Sequence, residues 1–305
     1  MYDLKTFGQM NLDLIFSGFP RIPDLGEEVF AESFDISLGG GPMTYPIVLD
    51  KLGCSVRLGT FLTDNMVSDL CRGLLRRRSF DAYESFDSGT TEPVVVTSVL
   101  SEPKDRRFVA FNQGVNESLL PAQTVYDFLR DARIASAPVG HPEVTRALSE
   151  EGVRIVYDVG WMECRPLEDM ASFLKYVSVF TPNEKEALHI TQAKDVETAL
   201  RMLADYTACP IITRGDSGAI YYRDGVRVMP KLPGSICVDT TGAGDNFLSG
   251  VIYGLCKGAS IDSCVRYGNI FAGISVSQLG CFGAAITEEE IAAGQEAFAE
   301  LVPML

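Results

Sequence analysis

From Pro121 onward the chain alternates between amphipathic stretches of helical period and short apolar runs. The helical pattern covers 121–131, 142–151, 166–175, 184–190 and 195–206, and the apolar runs fall at 134–137, 154–158, 177–180 and 210–213. Strands that alternate with helices close a core as a doubly wound, mostly parallel sheet with helices on both faces. The runs 219–222 and 226–229 flank Asp224 and Gly225, a hairpin signal. Helices over 262–279, stopped by Gly280, and over 288–301 finish the chain. With 305 residues and no repeat, low-complexity tract or linker, a single α/β domain over 1–305 is the economical reading.

The first third reads differently. A strand over 4–10 ends at Asn11, Leu12 and Asp13. The segment 19–34, punctuated by Pro20, Pro23 and Gly26, is too broken for a helix, and 28–34 can supply edge strands. Gly39, Gly40, Gly41 and Pro42 lead into a helix over 45–53, with Pro46 in its first turn and Gly53 as its stop. A short strand at 56–58 and a helix at 66–78 follow. The β-rich runs 94–100 and 107–111, joined by a polar turn at 101–106, predict a hairpin. Parts of 12–37 and 92–112 would then form a small β-sheet lid beside the main sheet. Ligands of open α/β sheets bind beyond the carboxyl ends of the strands. Asn11, Gly39, Asp158, Asn183, Gly215 and residues 239–245 all fall there.

In the last of these segments, Asp239, Thr240, Thr241, Gly242, Ala243, Gly244 and Asp245 precede Phe247, Leu248, Val251, Ile252 and Leu255 at helical spacing. A tight turn delivers the chain into a buried helix with an acid in its first turn. The first N–H groups of a helix lack partners inside it, and beside small residues they can hold a phosphate. An Asp next to such a nest is placed to accept a proton from whatever attacks that phosphate. The plain alternative is that the glycines make a turn and Asp245 offsets the helix dipole. A Walker loop would need Lys-Ser or Lys-Thr where Asp245 and Asn246 stand, and a dinucleotide fingerprint would need a glycine at Phe247.

Composition removes other classes. At 46% hydrophobic and 22% charged, the chain can bury a large core. A formal net charge of −15 argues against a nucleic-acid binder, which would need a basic face. The eight cysteines occur singly, and with only His141 and His189 beside them a structural zinc site is not expected. Their apolar surroundings, as at Cys237, suggest buried, reduced thiols. The first residues lack the basic start and apolar run of a signal peptide, and no apolar run is long enough to span a bilayer. A cytoplasmic protein without a membrane or nucleic-acid partner is the expectation.

Residues 239–247 resemble the signature of the ribokinase family, the PfkB carbohydrate kinases. Other segments agree in order along nearly the whole chain. Asn11, Leu12 and Asp13 resemble the family's sugar-contacting segment, and Gly39, Gly40, Gly41, Pro42, Met43 and Thr44 its double-glycine signature. Residues 181–186 look like its Asn-x-x-Glu motif, and 213–218 like its nucleotide-side glycine turn. The resemblance implies an ATP-dependent kinase whose base is Asp245. That residue, ionised at an ordinary pKa of about 4, would take the proton from a sugar hydroxyl attacking the γ-phosphate. It implies an anion hole from the amides of Gly242, Ala243 and Gly244, and acceptor contacts from Asn11, Asp13, Gly39, Gly40 and Thr44. ATP would meet Asn183, Thr213, Arg214, Gly215, Gly218, Asn269 and Gly273. Glu186 would organise the water shell of Mg²⁺, which keeps most of its waters. Some members hold a monovalent cation, which here would be potassium beside Asp239 and carbonyls around Thr241 and 280–283.

Several of these residues have a plain alternative. Asn183 with Glu186 three residues on is a capping-box arrangement. Arg214 is either a phosphate-binding cation or a surface residue at a strand end. Small residues such as Gly273 on a helix also serve close packing.

The departures from the family concern the acceptor. The family usually has Asn at the position of Thr44, and a hydroxyl cannot make both amide contacts. Ribokinase proper has Lys at Gly41 and a sugar-contacting Glu near Ala137. The acceptor is therefore expected to be a small sugar or sugar-like compound rather than ribose in particular. The alternatives are a nucleoside whose base stacks on Phe16, Phe19 or Phe111, a phosphosugar met by Arg21, Lys104, Arg106 or Arg107, and a silent ligand sensor. A homodimer through an exposed lid face is a further expectation.

Overall fold

The computed structural model describes residues 1–101, 106–111, 118 and 120–301. In chain order the elements are β1 (Tyr2–Phe7), β2 (Asn11–Ser17), β3 (Ser33–Gly39), α1 (Gly41–Asp50), β4 (Val56–Thr60), α2 (Met66–Arg77), β5 (Tyr83–Ser85), β6 (Val95–Ser101) and β7 (Arg106–Phe111). There follow α3 (Ala122–Leu129), β8 (Ala132–Ser136), α4 (Pro142–Glu150), β9 (Arg154–Tyr157), α5 (Leu167–Leu174), β10 (Val179–Phe180), α6 (Glu184–Thr191), α7 (Val196–Ala204) and β11 (Ile211–Thr213). The chain ends with β12 (Ala219–Tyr222), β13 (Val226–Met229), α8 (Ala243–Cys256), α9 (Ile261–Ser275) and α10 (Glu288–Leu301).

Six parallel strands form the main sheet in the order β10-β9-β8-β1-β4-β5. The antiparallel strands β11, β12 and β13 extend it through parallel bridges from Phe180 to Pro210 and from Asn183 to Thr213. A sheet covered on both faces needs apolar side chains in both directions. Leu4, Leu58, Ile134 and Val156 accordingly join a core cluster with Phe247 and Ile252 of α8, while Phe7, Ala135, Ile155 and Tyr157 join a second with Phe128 and Leu174.

The lid is a separate four-stranded sheet in the order β3-β2-β6-β7. Its hairpin, β6 against β7, pairs Val99 with Phe108; residues 102–105 of the turn, Lys104 among them, lie outside the described residues. Asp13, Ile15, Thr97 and Val99 are buried and share the inner face by register. The outer face carries Phe16, Phe34, Val109 and Phe111, of which Phe34, Val109 and Phe111 are more than half exposed.

Among the boundaries that differ from the sequence reading, four bear on the fold most. Asn11, Leu12 and Asp13 open β2 rather than end β1, because they pair with both β3 and β6. The edge strand starts at Ser33 instead of 28 and runs to Gly39. Helix α1 begins at Gly41, so Pro42 occupies the first turn and Pro46 sits inside the helix. Helix α9 stops at Ser275, four residues short of the predicted end. Strand β5, three residues with two acidic or polar exposed side chains, gave no apolar signal.

Candidate active site

Gly242 adopts φ +73°, the left-handed conformation that glycine takes at no steric cost, and a Cβ there would collide with Cys281. That turn releases α8 with Ala243, Gly244 and Asp245 in its first turn. The Ala243 amide is taken by the Thr240 carbonyl at 3.2 Å; those of Gly242 and Gly244 have no acceptor among the described residues. Asn246 pins the turn from behind, donating to the carbonyls of Gly242 (3.0 Å) and Cys281 (2.9 Å). Asp239 pins it from the side. One of its carboxylate oxygens accepts from the Ser101 hydroxyl, the Thr241 amide and the Thr241 hydroxyl, the other from the Gly280 amide.

Two cavities meet at this turn. The first, about 480 Å³, is lined by Asn183, Glu186, Thr213, Gly215, Gly218, Asn269, Gly273 and the 242–245 turn. The second, about 570 Å³, lies toward the lid and is lined by Gln9, Asn11, Gly40, Tyr45, Ser136 and Glu163 among others. Among the described residues Asp158, Val159 and Asp245 line both.

In the first cavity Asn183 and Glu186 form a reciprocal capping box on α6, with 3.0 and 2.8 Å bonds, so the plain reading of that pair holds while both still face the cavity. Gly218, at φ +75°, lies so close to the Met229 carbonyl that no side chain fits. Gly273 lines the cavity and packs against Leu232. The Arg214 guanidinium turns instead to Glu184, 3.5 Å away, while its amide closes the glycine turn onto the Gly218 carbonyl. The cation that does line this cavity is Lys231, paired with Asp216 at 2.6 Å.

In the second cavity Asn11 and Gly40 are part of the wall, while the other three predicted contacts lie behind it. The Asp13 carboxylate covers Gly39, where a Cβ would overlap it. Thr44 is fully buried, donating to the Gly40 carbonyl (3.1 Å) and lying 3.3 Å from Cys281 Sγ.

Carboxyl groups crowd the junction. Burial, then the charges of Asp245, Glu186 and Glu163, holds the Asp158 carboxyl well above its ordinary range. Burial raises Glu186 and Glu163 too, against hydrogen bonds from the Asn183 and Gly160 amides. Asp158 was legible only as a strand-end position. Tyr45, Glu163 and Lys231 carried no motif; the one available signal was that Tyr45 stands a helical turn beyond Gly41.

Other candidates move away from the cleft. By register Phe16 and Phe111 face outward, and Phe108 is the described lid aromatic on the inner side. Arg21 is paired with Glu27 and Asp24, and Arg107 shares the outer face with Phe16. Cys237 is exposed, contrary to expectation, because Ile236 and Val238 beside it are 75% and 52% exposed on a loop. All eight cysteines are free thiols. No helix of the described residues is long and apolar enough to cross a membrane.

A doubly wound sheet with a separate four-stranded sheet beside it, and a glycine turn between two cavities, defines the class of α/β protein. The chain belongs to the pfkB family of carbohydrate kinases, whose family model matches residues 1–287. It is a phosphotransferase of that family. It is 24% identical to the ribokinase of Bacillus subtilis over 304 residues, 95% of this chain and 98% of the relative. A 95-residue stretch is 42% identical to the cytidine kinase of Thermococcus kodakarensis, covering 30% of this chain and 34% of that protein. Among solved structures, Arabidopsis thaliana ribokinase complexed with ribose and ATP superposes with a TM-score of 0.79 at 19% identity, covering 96% and 98% of the two chains.

Proposed function

We propose that the chain transfers the γ-phosphate of ATP to a hydroxyl of a small, uncharged sugar or sugar-like acceptor. The observation that carries this reading is the position of Asp245, in the wall of both cavities. ATP would occupy the 480 Å³ cavity and the acceptor the 570 Å³ cavity. The Asp245 carboxylate takes the proton as the acceptor oxygen bonds to the γ-phosphorus and the bond to ADP breaks. The turn of Gly242, Ala243 and Gly244 holds the charge on the transferring group, with the two untaken glycine amides as its strongest donors. Phosphoryl transfer depends mostly on positioning and electrostatics, which such a turn can supply.

Mg²⁺ suits the donor side. Carboxyl groups whose ionisation burial and mutual repulsion oppose favour a cation among them. Among the described residues no three His, Cys, Asp or Glu could hold a metal ion together, so Glu186 would act through water. When bound, Mg²⁺ would neutralise charge on the phosphates. A potassium ion beside Asp239 would be ligated by carbonyl oxygens, since four donors already fill that carboxylate's acceptor positions.

Asp158, Glu163 and Asp245 in the acceptor wall disfavour a phosphosugar. The nucleoside reading keeps one specific support, the local similarity to a cytidine kinase. The exposed outer row of Phe34, Val109 and Phe111 supports a homodimer through the lid. The cytoplasm, where ATP and Mg²⁺ are at hand, is the setting we infer.

The test is ADP release from purified protein with MgATP and a panel of neutral sugars, nucleosides and sugar phosphates, comparing wild type with Asp245→Asn. At least one neutral compound should give turnover that the variant abolishes. Turnover that survives Asp245→Asn would sink the proposed role of the base, and no turnover with any compound would sink the acceptor reading.

A further inference from the structure

Tyr45 is 3% exposed, lines the 570 Å³ cavity, and its hydroxyl has no hydrogen-bond partner among the described residues. A buried tyrosine hydroxyl normally finds a partner, so one left open to a cavity points to a ligand atom. Its placement follows from the helix. Side chains on α1 lean toward its N-terminus, so Tyr45 reaches back over Gly41, one turn earlier. A Cβ at Gly41 would collide with that hydroxyl and sit 3.1 Å from Asp245 Oδ1. Phenol and carboxylate thus flank the same small space above one glycine. Burial and the negative charges of Asp158 and Asp245 oppose ionisation of the phenol, which leaves it a donor at working pH.

We propose that Tyr45 orients the acceptor: its hydroxyl donates a hydrogen bond to the acceptor oxygen next to the reacting hydroxyl, and Gly41 keeps that position open. The inference rests on the acceptor reading of this cavity. It assigns acceptor choice to an oxygen adjacent to the reacting hydroxyl, a ring oxygen or a neighbouring hydroxyl. The reacting hydroxyl itself is then left to donate its proton to Asp245. Gly41 does not need a positive φ, so alanine there changes space rather than backbone.

Acceptor affinity is measured by calorimetry with ribose, fructose and cytidine, and turnover by ADP release, for wild type, Tyr45→Phe, Gly41→Ala and the double variant. Tyr45→Phe should weaken acceptor binding or raise acceptor KM about tenfold, up to a hundredfold, with KM for ATP within twofold. Gly41→Ala should act in the same direction, and should add less to Tyr45→Phe than it does to wild type. A deoxy analogue lacking the adjacent oxygen should not distinguish wild type from Tyr45→Phe. The melting temperature of Tyr45→Phe should stay at the wild-type value, because the hydroxyl bonds no described protein group. Acceptor affinity within twofold of wild type would overturn the proposal, as would an equal rise in both KM values. If wild type binds a compound but turns over none, the kinase reading fails while the calorimetric comparison still decides the role of Tyr45. Binding of none of the three overturns both.

Discussion

The two cavities differ in how much positive-φ backbone they use: Gly215, Gly218 and Gly242 line the first, proposed for the nucleotide, and Gly40 the second, proposed for the acceptor, where Gln9, Asn11, Tyr45 and Glu163 also form the wall. A backbone wall can be specified only by residues that permit its conformation, and Gly218 and Gly242, both at positive φ against close neighbours, have no substitute. A position that contributes a side chain to a wall tolerates exchange more readily. On the proposed reading the nucleotide half has more positions that only glycine can fill, and the acceptor half more side chains that can be exchanged.

The largest expected effect breaks both halves at once. Asp245→Asn should lower kcat by about 10²–10⁴ while leaving both KM values within a few-fold, since the isosteric amide keeps the shape of both walls and removes only the proton acceptor. Steady-state ADP release checks this, and a mutant near wild-type kcat would return Asp245 to a helix-capping role. Next comes Glu186→Gln, which should raise the Mg²⁺ concentration needed for half-maximal rate about tenfold and leave acceptor KM alone. An acceptor-side effect of equal size would erase the division between the halves.

Asp158→Asn should show in stability. A carboxyl raised in the folded state contributes stability below its unfolded value near 3.8 and loses it as pH rises through the folded value. Removing the ionisation should raise the melting temperature by roughly 2–4 °C at about pH 8. The gain should vanish near pH 4, and a gain independent of pH would rule out this cause. The smallest effect is Arg214→Ala, expected to change KM for ATP by less than about twofold because the guanidinium faces Glu184. A tenfold rise in a titration of ATP would restore it to the phosphate site.

What the sequence reveals follows the same line. The glycine turns of the first cavity were legible because a positive φ calls for glycine, as at Gly215, Gly218 and Gly242. The alternation after Pro121 placed the sheet, and two β-rich runs without a helix placed the lid hairpin. Tyr45, Glu163 and Lys231 were not legible, because nothing in their neighbourhood demands a special residue type. Pro46 misled because a proline signals a first turn only when no other stands nearer the start, and Pro42 did. Phe111 in place of Phe108 was a matter of strand parity, which only the pairing register settles.

The Asp239 carboxylate has a thermodynamic consequence. It holds the end of lid strand β6, through Ser101, and the phosphate-side turn, through Thr241, by the same oxygen. The strand end and the turn before Gly242 therefore share one hydrogen-bond acceptor. Linkage makes such a connection reciprocal: whatever factor an acceptor under the lid adds to nucleotide affinity, the nucleotide returns to the acceptor. Through one buried acid, the two sites proposed here share a direct structural connection.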